Sequence, residues 1–418
     1  MHDIGIAGCG PGGLAAALFL HRLGHRVTLF ERFDEPRPVG SGLLIQPSGL
    51  TVLDALGLAP PICDRGVRID CLKGISVPSG RRALDVRYGA LGGDVCAYGV
   101  HRGLLFDTLY DAVRDAGIAI ETGRTVTQAD SGAGGGRFGF ADGTRSARFD
   151  CLIDALGART PLAPPSGGDL AYGALWATLD WPGGAGFLED ALDQRYRRAH
   201  EMVGVMPIGI NPATGGQGAA FFWSVRADAV ETLHARGTAA WRDTVLALWP
   251  ETAPLLDQIA DTRAMVFAHY AHRTVRRPVR AGFAHLGDAW HSTSPQLGQG
   301  ANMALLDAAG LASAFRRHTN IADALAHYVW LRASHIHIYQ MLSRVFTPLY
   351  QSGDGWRPCI RDQLVHRFAG LWPARALVAA IVSGGIGWPL RPMGLEAIGG
   401  VRAPASPDSA RRARSAAG

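Results

Sequence analysis

The chain has 418 residues, 47% hydrophobic and 18% charged, long enough to bury a large core in two joined domains with a helical tail. Its formal net charge of +5 is carried by arginine, Lys73 being the only lysine, and no basic block interleaved with aromatics points to nucleic acid. Six cysteines (Cys9, Cys63, Cys71, Cys96, Cys151, Cys359) show neither a CxxC pair nor metal-ligand spacing, and no stretch reaches the ~18 uninterrupted apolar residues of a spanning helix. Reduced thiols, no metal and a cytoplasmic location are expected.

The first elements are a buried strand at Asp3 to Ala7, a helix from Pro11 to Leu23 ending at Gly24, and a strand from Arg26 to Phe30. This is a complete βαβ unit, the setting in which Gly8, Gly10 and Gly13 act as a dinucleotide fingerprint. Gly8 permits the tight turn, Gly10 lets the backbone approach a pyrophosphate, and Gly13 lets the helix pack close to the strand. Glu31, 18 residues after Gly13, is placed to accept ribose hydroxyl hydrogen bonds and would repel a 2′-phosphate. A strand and turn follow at Gly40 to Pro47, then a helix from Ser48 to Leu56.

Ile69 to Val95 alternates as antiparallel strands do. A helix is predicted over His101 to Ala116, with strands at Ile118 to Glu121, Arg124 to Gln128, Gly136 to Phe140, Ala147 to Phe149 and Cys151 to Ala155. Ser131 to Gly136 reads as a flexible hairpin tip. Ala171 to His272 is β-rich, interrupted by a helix at Thr238 to Trp249. Gly282 to Leu286 returns to a core strand, and Asn302 to Arg317 is a long helix, with helices dominating to about residue 398. Between these last elements lies a second glycine-rich segment: Gly287-Asp288-Ala289-Trp290-His291, then Pro295, then Gly298-Gln299-Gly300-Ala301-Asn302. The two segments together point to FAD held at both ends.

With these motifs in order and an antiparallel insert between them, residues 1 to 345 resemble the single-component (group A) FAD-dependent aromatic hydroxylases, whose fold is typified by 4-hydroxybenzoate hydroxylase. The resemblance implies an α/β fold: a Rossmann-type FAD-binding domain (1–68, 97–165 and 274–345), a discontinuous antiparallel β substrate domain (69–96 and 166–273), a C-terminal helical region (346–400) and a disordered tail (401–418). It implies FAD contacts from Gly8, Gly10, Gly13, Glu31, Arg32, Gly42, Arg102, Val126, Asp288, Pro295, Gly298, Gly300, Ala301 and Asn302. Among these, Arg102 would contact the pyrophosphate and Asp288 the ribityl chain, and Pro295 with the Gly298–Asn302 loop would lie against the isoalloxazine ring. The helix after that loop aims its N-terminus at the N1–C2=O edge, which becomes negative on reduction.

The implied chemistry is reduction of FAD by NADH or NADPH, reaction with O2 to a flavin C4a-hydroperoxide, and hydroxylation of an electron-rich aromatic or hydrophobic substrate in a dry pocket. The chain departs from the family in one motif. Asp154-Ala155-Leu156-Gly157-Ala158-Arg159-Thr160 carries Leu156 where the family has an Asp associated with flavin and NAD(P)H binding, and Asp154 is expected on the same face as a partial substitute. No residue is assigned as catalytic base: His200, Tyr172, Tyr196 and His269 read as surface or packed side chains. Trp290 reads as core and His291 as fixing its loop. The alternatives are a FAD-dependent reductase or dehydrogenase of a polyene or isoprenoid, and a non-catalytic flavin-binding protein; a halogenase lacks its Trp-x-Trp-x-Ile-Pro pattern here. The apolar segment 368–390 is expected to pack on the body, with peripheral contact at the inner membrane face as the other reading.

Overall fold

The structure, a computed structural model, describes residues 1–35, 40–77, 79–164, 166–184, 186–368 and 370–395; the tail expected at 401–418 lies outside them. The strand Asp3–Ala7 is central in a six-stranded sheet ordered Val279–Arg280, Phe283–His285, Cys151–Asp154, Asp3–Ala7, Arg26–Phe30 and Ala119–Glu121. All neighbours are parallel except the edge pair Val279–Arg280 and Phe283–His285. A parallel strand between two parallel strands is covered on both faces, so beyond Asp3 at its start its residues are apolar. Ile4, Ile6 and Ala7 are fully buried. The helices Pro11–Arg22 and Gly300–Arg317 pack together within the largest apolar cluster, while Phe30 is ringed by Phe138, Phe140 and Phe149 in a separate one.

A seven-stranded sheet is ordered Val266–Ala268, Tyr172–Asp180, Gln217–Arg226, Glu201–Ile210, Ala191–Arg197, Cys71–Ser76 and Arg81–Arg87. It is antiparallel except between Ala191–Arg197 and Cys71–Ser76, where the two chain segments of the sheet meet. Period-two alternation separates its faces. Ala219, Phe221, Trp223 and Val225 pack with Trp241 and Val245 of the helix Thr238–Leu248, whereas Ala220 packs with Leu44, Met206, Ile208, Ala379 and Val382. The second face therefore receives both the strand Gly42–Ile45 and the C-terminal helix Trp372–Val382.

Two local expectations are corrected. Ala147 to Phe149 forms no strand; Phe149 makes a single bridge to Gly136, and its ring lies where a Cβ on Gly5 would stand, 2.8 Å from Cδ2. The hairpin tip is shorter than Ser131 to Gly136, because the strands Val126–Gly132 and Gly135–Phe140 run nearly to the turn. Further along, the helix Ile321–Tyr350 runs unbroken across residue 345, so the C-terminal helices Trp356–Phe368 and Trp372–Val382 follow from it directly.

Candidate functional site

Gly8 has φ of +105°, and an ideal Cβ there would lie 2.5 Å from the Ala155 carbonyl oxygen. A Cβ on Gly13 would lie 2.1 Å from the Gly8 carbonyl oxygen. The loop, the helix and the neighbouring strand end close on one another only because both side chains are absent. Gly10 differs. Its backbone is extended (φ −72°, ψ 172°), and no protein atom lies within 4 Å of a Cβ built on it. That space is a cradle beside the start of helix Pro11–Arg22, which has no side-chain cap and no acid in its first turn. Its leading N–H groups and the positive end of its dipole face the cradle. The second glycine-rich segment meets this helix at Gly12, where a Cβ would lie 2.4 Å from Leu286 Cδ2.

Around the cradle, Glu31 accepts hydrogen bonds from the N–H groups of Cys9 and Arg32, both at 2.8 Å, and its carboxylate has further lone pairs. The Arg32 guanidinium is exposed and stacks on Phe33. Val126 is buried against the Phe30 cluster, two residues beyond Arg124, whose N–H donates to the Glu31 carbonyl. Arg102 opens the helix Arg102–Asp115. That helix is capped by His101, whose Nδ1 accepts from the Gly103 N–H at 3.0 Å while burial lowers the ring's pKa and so keeps it neutral. The Arg102 side chain is exposed, reaches over Gly40, and forms no ion pair with a carboxylate among the described residues. Gly42 has a different reason to be glycine: a Cβ would lie 2.4 Å from Ala220 Cβ, so its smallness serves the contact with the seven-stranded sheet.

Asp288 borders a cavity of about 310 Å³ with Thr160, Ser166, Arg273 and Val275. Its side chain is open to solvent within this concavity, yet the protein surrounding it raises its carboxyl above the usual range, against the pull of His291 and Arg102. Replacement by alanine is expected to weaken FAD binding by about 10- to 100-fold, the worth of one charge-assisted hydrogen bond. Flavin absorbance after gel filtration reads this directly, and wild-type flavin content would remove Asp288 from the cofactor site.

In the loop expected at the ring, Pro295 and Gly300 are exposed and Gly298 is left-handed (φ +60°). The helix Gly300–Arg317 has no side-chain cap and no acid in its first turn, so Gly300 and the half-exposed Ala301 lie at a bare positive helix end. Asn302 is turned inward. Its Oδ1 accepts from the Gln46 N–H at 2.9 Å, and its Nδ2 donates to the carbonyls of Leu44 (3.1 Å) and Gly298 (2.9 Å). It brackets the loop against the strand Gly42–Ile45 by its side chain. Beside this bracket three buried polar atoms have no hydrogen-bond partner among the described residues: Gln46 Nε2, Ser48 Oγ and Gln299 Oε1. A Cβ on Gly298 would lie 3.3 Å from the first, and one on Gly384 would lie 2.1 and 3.2 Å from the other two.

The sequence did not expose what holds this loop. Asp307, fully buried, accepts from the Gly287 N–H (2.8 Å), His291 Nε2 (2.6 Å) and Arg332 Nε (2.7 Å). Despite burial, His291 and Arg332 hold its carboxyl at about 2. Arg332 continues to His335, and His335 Nε2 donates to the Gly384 carbonyl at 3.1 Å. The neighbouring carbonyls are captured as well: Ile381 by the Tyr339 hydroxyl (2.6 Å), Val382 by Gln299 Nε2 (2.5 Å) and Ser383 by the Ser48 N–H (3.2 Å). Four consecutive carbonyls at the end of helix Trp372–Val382 thus satisfy, and are satisfied by, the elements around the loop. The signal for Asp307 was present, since it is the single charge between Ala301 and Phe315; its partners lie on other helices. Trp290 packs in the core against Tyr328.

Burial and Arg332 hold His335 at about 3. The unfolded chain therefore takes a proton below about pH 6.5 that the folded protein cannot take. Stability is full above that value and falls with pH by on the order of 4 kcal/mol at pH 3, with Asp307 adding its loss below about pH 4. Urea unfolding from pH 7 to 4 is expected to show this decline, and His335→Gln to flatten it.

At the departing motif, Asp154 does not substitute for a cofactor-facing carboxylate. It is fully buried and accepts from the Leu156 N–H (3.0 Å), the Thr160 hydroxyl (2.7 Å) and His285 Nδ1 (2.8 Å), which fills it internally. Leu156 packs beside the Phe30 cluster. Of the other side chains considered, Tyr172 and Tyr196 are buried, His200 is half-buried and His269 is exposed.

The family described as FAD binding domain matches residues 1–329. The FAD-dependent urate hydroxylase of Klebsiella oxytoca is 29% identical over 342 residues, covering 77% of this chain and 84% of that protein. The 2-heptyl-3-hydroxy-4(1H)-quinolone synthase of Mycobacteroides abscessus is 28% identical over 331 residues, covering 77% and 83%. Among solved structures, Klebsiella pneumoniae HpxO complexed with FAD and uric acid superposes with a TM-score of 0.75 at 22% identity, over 92% of this chain and 98% of that one.

Proposed function

Because the chain belongs to the FAD binding domain family and its relatives are FAD-dependent hydroxylases and monooxygenases, we propose that this enzyme uses NADH or NADPH to hydroxylate an electron-rich heteroaromatic ring. The cradle at Gly10, the bare helix end beside it, Glu31 and the exposed Arg102 fit the ribose and pyrophosphate of FAD, and Asp288 fits its ribityl chain. When bound, FAD accepts the electrons of the reductant and activates O2 for transfer of one oxygen atom. The chain's own part is to place and shield that chemistry. The uncapped N-terminus at Gly300 would steady negative charge on the ring, and Asn302 holds the loop that presents it. The apolar side chains Leu44, Met206, Ile208 and Val382 offer a wall that excludes water.

The observation that carries the substrate class is the set of unpartnered buried atoms at Gln46, Ser48 and Gln299. Each is costly unless a ligand or water meets it. Together they offer an amide donor, an amide acceptor and a hydroxyl, which match the N–H and C=O edges of ring systems such as the uric acid and quinolone named for the relatives. A hydrocarbon polyene would leave all three unmet. We assign 1–68, 97–165 and 274–345 to the FAD-binding domain and 69–96 and 166–273 to the substrate domain on the same reading.

The test is anaerobic stopped-flow reduction of the purified flavoprotein by NADH and by NADPH, followed by oxygen uptake and product mass with heteroaromatic substrates. Bleaching by either nucleotide and gain of one oxygen atom are expected. Failure with both, cured by Leu156→Asp, would place the departure of this chain at its reductant site. Failure in the variant as well would end the claim that nicotinamide reduces this flavin.

A further inference from the structure

The helix Trp356–Phe368 is inverted. Its buried residues are Pro358, Arg361 and Asp362, while Trp356, Ile360, Leu364 and Phe368 stand 61, 45, 51 and 48% exposed. Those four recur every fourth residue and so form one stripe along the helix. The inward charges are fully used. Arg361 pairs with Asp362 at 2.7 Å, donates to the Leu349 and Arg198 carbonyls, and lies over the rings of Tyr196 and Tyr350. The helix is therefore seated by its polar face, and its apolar face is directed outward. Trp372 (71% exposed) and Leu377 (56%) on the next helix, and Trp388 (66%) after it, are exposed as well. A soluble surface rarely presents so many large apolar side chains together without an occupant.

Charge identifies the occupant. Residues 340–395 contain six arginines and only two acids, Asp354 and Asp362. Both acids are already paired, with Arg357 and Arg361. Arg344, Arg367 and Arg391 are exposed and form no ion pair with an acid among the described residues, and Arg391 lies over the Trp388 ring. A second copy docked by a two-fold axis would bring this cationic face onto itself, and like charges would oppose the contact. The chain beyond residue 395 adds Arg402, Arg411, Arg412 and Arg414 against Glu396 and Asp408, and only Ile398 and Val401 as large apolar residues, too few to cover the stripe. Aromatic and aliphatic side chains among arginines, followed by a basic segment, complement an anionic lipid headgroup layer with acyl chains beneath it. No helix among the described residues is long and apolar enough to cross a membrane, so contact would be peripheral.

We propose that the face formed by Trp356, Ile360, Leu364, Phe368, Trp372 and Trp388 docks the enzyme on an anionic bilayer surface. The same C-terminal segment meets the flavin loop with its other side, through Val382 and Gln299, so docking would bring that side of the enzyme to a lipid-dissolved substrate. Docking itself stands independently of the proposed reaction.

The full-length holoenzyme is to be sedimented with vesicles of phosphatidylcholine alone and of phosphatidylcholine with phosphatidylglycerol. Binding to the anionic vesicles, at least tenfold stronger than to the neutral ones and weakened by salt, is expected. W356S/L364S is expected to lose at least tenfold in binding while keeping its flavin spectrum and melting temperature, because both side chains are exposed. R367E/R391E separates the charge contribution and is expected to abolish the preference for anionic vesicles. Equal binding to both vesicle types, or none, overturns the proposal. So does a stable dimer in sedimentation velocity that W356S/L364S dissociates, which would assign the face to a second copy.

Discussion

Replacing Gly10 by valine is expected to give a protein that folds, melts as the wild-type apoprotein melts, and binds FAD at least about 100-fold more weakly, a loss of ~3 kcal/mol. The backbone at Gly10 is extended, a conformation any residue adopts, and the Cβ of the new side chain would meet no atom of a residue beyond its chain neighbours within 4 Å. It would occupy the cradle alone. Gly13→Ala is the contrast: its methyl would lie 2.1 Å from a backbone oxygen, so the fold itself should suffer. Melting curves of the two apoproteins, set beside flavin absorbance, separate a position kept empty for a ligand from one kept empty for packing. A Gly10→Val protein that retains bound flavin would put the pyrophosphate elsewhere.

Arg332→Met should cost about 3–5 kcal/mol of unfolding free energy in urea, because it strands the Asp307 carboxylate in the core. Methionine fills much of the lost volume, so the loss would be electrostatic more than steric. The variant should also release flavin more readily, since Asp307 is what binds the Gly287 N–H and His291. A double variant, D307L/R332M, removes both charges and should recover part of the stability without recovering flavin retention. If retention returned with stability, the network would serve the fold and not the loop.

Glycines, strand alternation and the order of motifs were readable because each is local: the demands at Gly8 and Gly13 come from residues beside them in one βαβ unit. The helix Gly300–Arg317 and the β-rich character of Ala171 to His272 followed in the same way from periodicity. What escaped was set by contacts distant in sequence. Gly42 could be read only as part of a cofactor motif until Ala220, from the other sheet, stood against it. Asp154 pointed to a cofactor as long as His285 and Thr160 were not known to occupy it. Arg332 looked like one more arginine on a helix, and nothing local marked it as the partner of Asp307 across 25 residues. The segment 368–390 was legible as apolar, but the outward stripe on the helix Trp356–Phe368 before it was not, because its seat depends on Tyr196 and Tyr350.

The capture of the carbonyls at 381–384 has a consequence for the order in which the enzyme matures. Residues 1–329 contain both glycine-rich segments, yet Gln299 and Ser48 find their partners some fifty residues beyond that stretch. During synthesis the six-stranded sheet and the cradle at Gly10 can assemble while the last helices are still inside the ribosome. The ring loop then waits with its amide unmatched. The loop is complete only once residues 381–384 have emerged, so a chain stopped between residues 351 and 380 would keep Arg332 against Asp307 yet leave the loop uncaptured.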